Sequence, residues 1–389
     1  MYGWAMLTPL AYKALGIDAE SDLPAGGKFV RDASGSPTGA VAGGIVALFD
    51  KLPTPAFEQK VEGTRKFFRE LNRVGLSGVV DPGGFNVSPA EYAPLFLVWR
   101  GKTLTVRVNY SYFSQKGGKE LDEFKELTQL LPMGLGDDLL RFNGIGERVT
   151  FGMYNNDKPT DADKEQFYQA ARWAAERGMT LTQHWHSDAS IGQLLDVFER
   201  VNREVPISRL RWSIAHLNDG TEATFARMKA LGVGWAMQDA MYYDGERALK
   251  DRGAAALKRM PPMRTALKTG VVLGAGTDAH RVANYNPFVA LRWMLDGKSA
   301  GGMALRGPEE TPSRIEALRM YTSGSAWFAH DDARRGTIAV GKFADLAVLS
   351  KDYLGVPVEE IGGIESLLTM VGGRVVYADG PFTKFEQRR

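Results

Sequence analysis

At 389 residues the chain is too long for one small domain and suits a (β/α) barrel of roughly 250 residues with additions. Apolar residues make up 44% and charged residues 24%, an ordinary balance for a globular protein. With 48 basic and 46 acidic residues the formal net charge is +2, which argues against a nucleic-acid binder. The lack of any cysteine excludes disulfides, thiolate metal sites and a cysteine nucleophile, so an imidazole-based metal site must draw on just five histidines.

The chain opens without a leader pattern. Met1 to Leu10 carry no positive segment before an apolar core, and no apolar run approaches the ~20 residues of a membrane span. A cytoplasmic location with no membrane partner is the expectation. Residues 1–60 are rich in Gly and Pro, as in Leu23-Pro24-Ala25-Gly26-Gly27 and Gly35-Ser36-Pro37-Thr38-Gly39, and are predicted to be an irregular segment with short helices.

From 61 to 330 short apolar runs alternate with amphipathic stretches. The predicted strands are Leu76–Val80, Leu104–Tyr110, Arg148–Tyr154, Met179–His186, Arg211–Leu217, Val233–Gln238 and Val271–Asp278. Between them, Thr160 to Asp163 opens a helix that Gly178 closes, and Ile191, Leu194, Leu195, Phe198 and Val201 share one helical face. Phe225, Met228 and Leu231 make a further stripe, ended by Gly232. Repeated βα units of this kind predict an α/β fold with a parallel sheet. Seven units fit either an open doubly wound sheet or a TIM-like barrel short of one strand. Residues 331–389 switch to β-rich character: Gly336-Thr337-Ile338, Asp345 to Leu349, and two strands around Gly372-Gly373, a hairpin turn.

In parallel α/β folds ligands gather at the C-terminal strand ends. Three polar features fall there: His184 and His186 with Asp188 just beyond, His216, and Asp278. Alternation along a strand points His184 and His186 to the same side. Two imidazoles and a carboxylate form a ligand set used in metal-assisted hydrolysis. One such histidine alone would read as a hydrogen-bonded structural residue, and the Gly-x-Gly-Thr-Asp turn as a strand exit with an Asp cap. Three groups on strand ends of one repeat favour a metal site. His280, in the loop after Asp278, reads as either substrate-facing or solvated, and His330 as structural. Walker, Gly-x-Ser-x-Gly and Gly-x-Gly-x-x-Gly motifs are absent.

Several stretches carry a family resemblance: Pro24 to Gly39, Gly75 to Asp81, His184 to Asp188, Arg211 to His216, Thr277-Asp278 with Asn286-Pro287, and, most specifically, Gly336 to Leu346. Through them the sequence resembles the amidohydrolase superfamily, in the branch called amidohydrolase family 3. The resemblance implies a (β/α) barrel at 61–330 flanked by part of a small β-sandwich at 331–389. It implies hydrolysis of a non-peptide C–N bond, amide or cyclic amide, in a small molecule. One divalent ion, zinc the expected one, would be held by His184, His216 and Asp278. Asp278 would also shuttle the proton, with His216 part of the catalytic apparatus and His186 and His280 facing substrate.

Two departures accompany this. The family's first strand with its His-x-His pair is missing, so the chain reads as beginning inside the first βα connection, a clipped or degenerate member. Its two unpaired sheet edges would invite homo-oligomerisation. The fourth strand, placed at Arg148–Tyr154, has no lysine, and Glu147 at its start is not taken as a substitute. A non-catalytic barrel remnant acting as a binding or assembly module is therefore the rival reading.

Overall fold

The computed structural model describes residues 4–16, 26–43, 48, 51–280 and 282–385. They fall into two compact units, residues 1–60 and 61–389.

The described residues of the first unit are more regular than their composition suggested. Strands β1 (Trp4–Met6), β2 (Lys28–Arg31) and β3 (Pro37–Ala42) form an antiparallel sheet in the order β1-β3-β2. Helix α1 (Pro9–Leu15) starts at Thr8, whose hydroxyl accepts the Ala11 N–H, and stops at Gly16 in a left-handed conformation. In the β2–β3 turn the Asp32 carboxylate accepts the N–H groups of Ser34 and Ser36 at 2.8 and 3.0 Å. That local bonding turns a Gly/Pro-rich stretch into a hairpin. Of Leu23 to Gly27, only the two glycines lie within the described residues.

The second unit alternates strand and helix as predicted. Helix α2 (Phe57–Arg73) leads to β4 (Gly78–Asp81), α3 (Pro89–Arg100), β5 (Arg107–Tyr112), α4 (Glu120–Thr128) and β6 (Leu140–Ile145). There follow α5 (Asp161–Glu176), β7 (Thr182–Trp185), α6 (Asp188–Glu204), β8 (Ser213–His216), α7 (Glu222–Leu231) and β9 (Gly234–Gln238). Next come α8 (Met241–Arg252), α9 (Ala254–Leu257), α10 (Met263–Thr269), β10 (Leu273–Gly276) and α11 (Pro287–Asp296). Strands β4 to β6 are parallel neighbours, as are β7 to β10, and a single parallel bridge, Ile145 to Leu181, joins the two groups. Every residue of β5 and β8 is buried, as strands covered on both faces require. The capping box at Thr160 and Asp163 starts α5, and the Ile191–Val201 stripe of α6 is buried.

The fourth strand departs from expectation. It spans Leu140–Ile145, and Arg148–Tyr154 is not a strand. Both stretches alternate apolar residues, which is why periodicity misplaced it. Glycines decide between them: a Cβ on Gly144 or Gly146 would fall 2.1 or 2.2 Å from the carbonyl oxygens of Thr180 and Thr182. Here β6 runs against the β7 segment at a distance only glycine allows. Residues 148–154 instead fold around the Arg148 guanidinium, which donates to the Ser114 carbonyl and lies over Phe85, Phe113, Phe151 and Tyr154.

Among the described residues β4 pairs with β5 alone and β10 with β9 alone, so an eight-stranded closed barrel is not seen. A π turn, Met320–Gly324, packs on β10; a Cβ at Gly324 would lie 2.3 Å from the Leu273 carbonyl oxygen. The C-terminal strands β11 (Leu346–Leu349), β12 (Ser366–Val371) and β13 (Arg374–Ala378) form an antiparallel sheet, with Gly372 and Gly373 at positive φ in the hairpin. Gly336-Thr337-Ile338 is not the strand predicted: the segment has no partner strand, and Ile338 is 90% exposed. Arg107 holds Asp345 through two hydrogen bonds of 2.7 and 2.9 Å, fixing this sheet to β5. No described helix is long and apolar enough to cross a membrane.

Candidate metal centre

Two of the polar strand ends, His184 and His216, converge, with one addition. His184 lies in β7 and His216 ends β8, where its neighbour across the ladder is Trp185. Glu147 follows β6 by two residues. One of its carboxylate oxygens, Oε1, lies 2.6 Å from His184 Nδ1 and also contacts His216 Nε2. One ligand atom from each of the three lies within 4.8 Å of the other two. Both histidines are buried and the Glu147 side chain is 12% exposed. Sequence reasoning passed over Glu147 because placing the strand too late put it at a strand start. With β6 ending at Ile145, Glu147 takes a C-terminal position.

The remaining contacts define the imidazoles. His184 Nε2 lies 2.7 Å from Asn155 Oδ1, and the Tyr154 ring lies 4.5 Å from the His184 ring. An amide oxygen only accepts, so Nε2 carries a proton, and Nδ1 faces Glu147 either as a second N–H that donates to Oε1 or, with an ion bound, as a lone pair. At 2.6 Å the two atoms are at hydrogen-bond distance with room for a proton between them, and an ion bound by both would hold them further apart. The buried His216 Nδ1 has no protein partner, and the His216 carbonyl accepts the Trp235 indole N–H at 2.7 Å. Two imidazole nitrogens facing one carboxylate oxygen form a donor set that fits a divalent ion such as zinc.

The electrostatics follow from burial and this clustering. Burial disfavours the Glu147 charge, but His216 and the hydrogen bonds from both rings outweigh it and hold the carboxylate below its usual range. Burial pulls His216 down, yet the charge and hydrogen bond of Glu147 raise it overall. Burial and His216 lower His184. His186, with ring centroids 4.4 Å from His184 and 4.8 Å from His216, is pushed to about 3 by burial and by its two neighbours, so it is uncharged at neutral pH.

Asp278 follows β10 at φ 55° and is not in the three-residue donor group. Crowding by the protein raises it to about 7 against the pull of His216. Solvent reaches Asp278, and that screening weakens the effect relative to a wholly buried carboxyl. His280 is exposed and lies beside Phe67, at 5.3 Å between rings, with no contact to the histidine cluster. Asp188 bonds the Thr221 N–H and the Thr224 hydroxyl, a link between α6 and α7. His330 meets the Thr180 hydroxyl at 2.7 Å, the structural role expected of it. One further residue escaped notice: Asp239, just past β9, is buried with both carboxylate oxygens unpartnered. The rule that singled out strand ends would have found it.

The chain is similar to several known proteins. The chain is 25% identical to the N-substituted formamide deformylase of Arthrobacter pascens, covering 94% of this chain and 70% of that protein. It is 23% identical to putative amidohydrolase YtcJ of Bacillus subtilis, covering 94% and 71%. Among solved structures, an uncharacterized metal-dependent hydrolase from Pyrococcus horikoshii superposes with a TM-score of 0.65 at 17% identity, covering 92% of this chain and 71% of that one. A zinc-complexed atrazine chlorohydrolase from Arthrobacter aurescens gives 0.56 at 20% identity, covering 82% and 72%. These structural likenesses establish the shared α/β fold. Residues 5–377 match the Amidohydrolase family, and the chain belongs to it.

Proposed function

We propose that the chain holds one divalent ion, zinc, between Glu147, His184 and His216 and hydrolyses a non-peptide C–N bond, amide or cyclic amide, in a small molecule. The observation that carries this is the convergence of His184 Nδ1 and His216 Nε2 on one oxygen of Glu147, at the ends of three successive strands. Glu147 supplies the carboxylate that the sequence reading had sought in Asp278. An ion held there supplies Lewis acidity, which makes water more acidic and polarises a carbonyl.

The protein groups divide the remaining work. Asp278, whose carboxyl is raised towards neutrality, is suited to take a proton from water and return it to the departing nitrogen. His186, uncharged and beside both ligand rings, offers a hydrogen bond to substrate. The burial of His184 and His216 keeps bulk water from the rings.

Metal analysis and turnover together test the reading. Protein equilibrated with zinc and freed of excess is expected to retain one ion per chain and to cleave N-substituted formamides, the class named for one relative. His184→Ala and His216→Ala are expected to lose metal and activity together. Stoichiometric metal without turnover of amides or cyclic amides favours a non-catalytic module. A wild-type protein that retains no metal refutes the centre itself.

A further inference from the structure

Residues 147–155 enclose His184 from three sides. Glu147 stands at Nδ1, Asn155 at Nε2, and Tyr154 against the ring. The segment is pinned from behind, because the buried Arg148 bonds the Ser114 carbonyl at 3.0 and 2.6 Å and is walled by aromatic rings. At its far end the Asn156 amide donates to the Gly152 carbonyl at 2.8 Å. These bonds fix where the Asn155 carbonyl oxygen stands.

An imidazole can present either nitrogen to a ligand, and the bond made by the other nitrogen settles which. We propose that Asn155 is the positioning residue of His184: it accepts the Nε2 proton, fixes the ring and leaves Nδ1 to face Glu147 and the ion. The proposal rests on the metal-centre reading above. Nothing in the strand pattern marks Asn155, which lies on an exposed loop far from the next ligand in sequence.

The backbone at Asn155 allows a sharp test. Its φ is 51°, in the left-handed region where Gly, Asn and Asp are tolerated and other residues are strained. If Asn155 serves only the turn, Asn155→Gly is harmless and Asn155→Asp is no better. If the side-chain oxygen positions His184, Asn155→Gly loses function while Asn155→Asp, which keeps an acceptor there, retains it.

The experiment loads cobalt(II) into full-length wild type and both variants. It measures affinity by competition with a chelator, the visible absorption bands, and the thermal midpoint of the metal-free proteins. Expected is an affinity about 10- to 100-fold lower for Asn155→Gly with altered bands. Asn155→Asp should bind at least about as tightly as wild type, and metal-free Asn155→Gly should melt no lower than wild type. Wild-type affinity and bands in Asn155→Gly, or an Asn155→Asp as weak as Asn155→Gly, overturn the positioning role while leaving the metal centre standing. A wild type that takes up no cobalt overturns both.

Discussion

Asp239→Asn is expected to flatten the dependence of stability on pH. Asp239 is 1% exposed and neither of its carboxylate oxygens has a hydrogen-bond partner on another residue. Burial, opposed by its own backbone N–H and helped by a smaller push from the charge of Asp278, raises its pKa from 3.8 to about 8. In the unfolded chain the group titrates near the ordinary value, about 3.9. Between those two values the folded protein keeps a proton that the unfolded chain has released, so stability falls as pH rises through the window. The slope is at most about 1.4 kcal/mol per pH unit, and the ceiling over about four units is about 6 kcal/mol. Water entry and local relaxation reduce such penalties, and about half that slope is the working expectation. Asparagine is neutral throughout and carries only a constant offset. Urea unfolding of metal-free protein, followed by tryptophan fluorescence from pH 5 to 8, makes the comparison. The variant is expected to gain on wild type by roughly 0.5–1 kcal/mol per unit. Parallel curves across that range would show that the buried carboxyl is not held protonated, and the reasoning fails.

Three other perturbations probe the scaffold and the site. Arg107→Met strands Asp345 without its buried partner and is expected to cost about 3–5 kcal/mol in urea unfolding, part of it recovered by removing Asp345 as well. Trp212→Ala empties a fully buried site and breaks the indole bond to the Met179 carbonyl, a loss of about 3–5 kcal/mol read the same way. His186→Ala is expected to leave zinc content unchanged while raising KM more than it lowers kcat, because its neutral ring faces the site from outside the donor group.

The parallel strand alternation and two residues of the candidate site were legible because both follow from local patterns. The buried stripe from Ile191 to Val201 sets the face of α6, and His184 and His216 fall on the strand ends where the alternation put them. Glu147 was not legible, since two adjacent stretches, 140–145 and 148–154, carry the same apolar alternation. Only the close approach of Gly144 and Gly146 to the β7 segment selects the first, and that is a tertiary constraint. Residues 28–42 departed in the opposite sense: the Asp32 side chain organises a turn that composition alone presents as irregular. Ile338 failed as a strand residue because a strand is made by its partner, and 336–338 has none.

The three donors come from consecutive strand ends, so they would approach an ion from one side, as a hydrolytic site with an open coordination position requires. The same arrangement makes metal uptake a proton-releasing step. Glu147 lowers the cost of charging His216, whose pKa lies above the ordinary histidine value although burial opposes it. Metal-free His216 therefore holds its proton, on the nitrogen that faces Glu147, more firmly than an ordinary histidine, and that proton must leave before the nitrogen can bind a cation. Zinc titrated into metal-free protein at pH 6.5, in buffers of differing ionisation enthalpy, is expected to release protons from this ring, and fewer as pH rises. Glu147→Gln removes the charge that raises His216, so it is expected to weaken zinc binding and to reduce the release at pH 6.5 at the same time. Zinc uptake without proton release at that pH would mean that His216 Nε2 is not a ligand, and the three-donor centre would lose its third member.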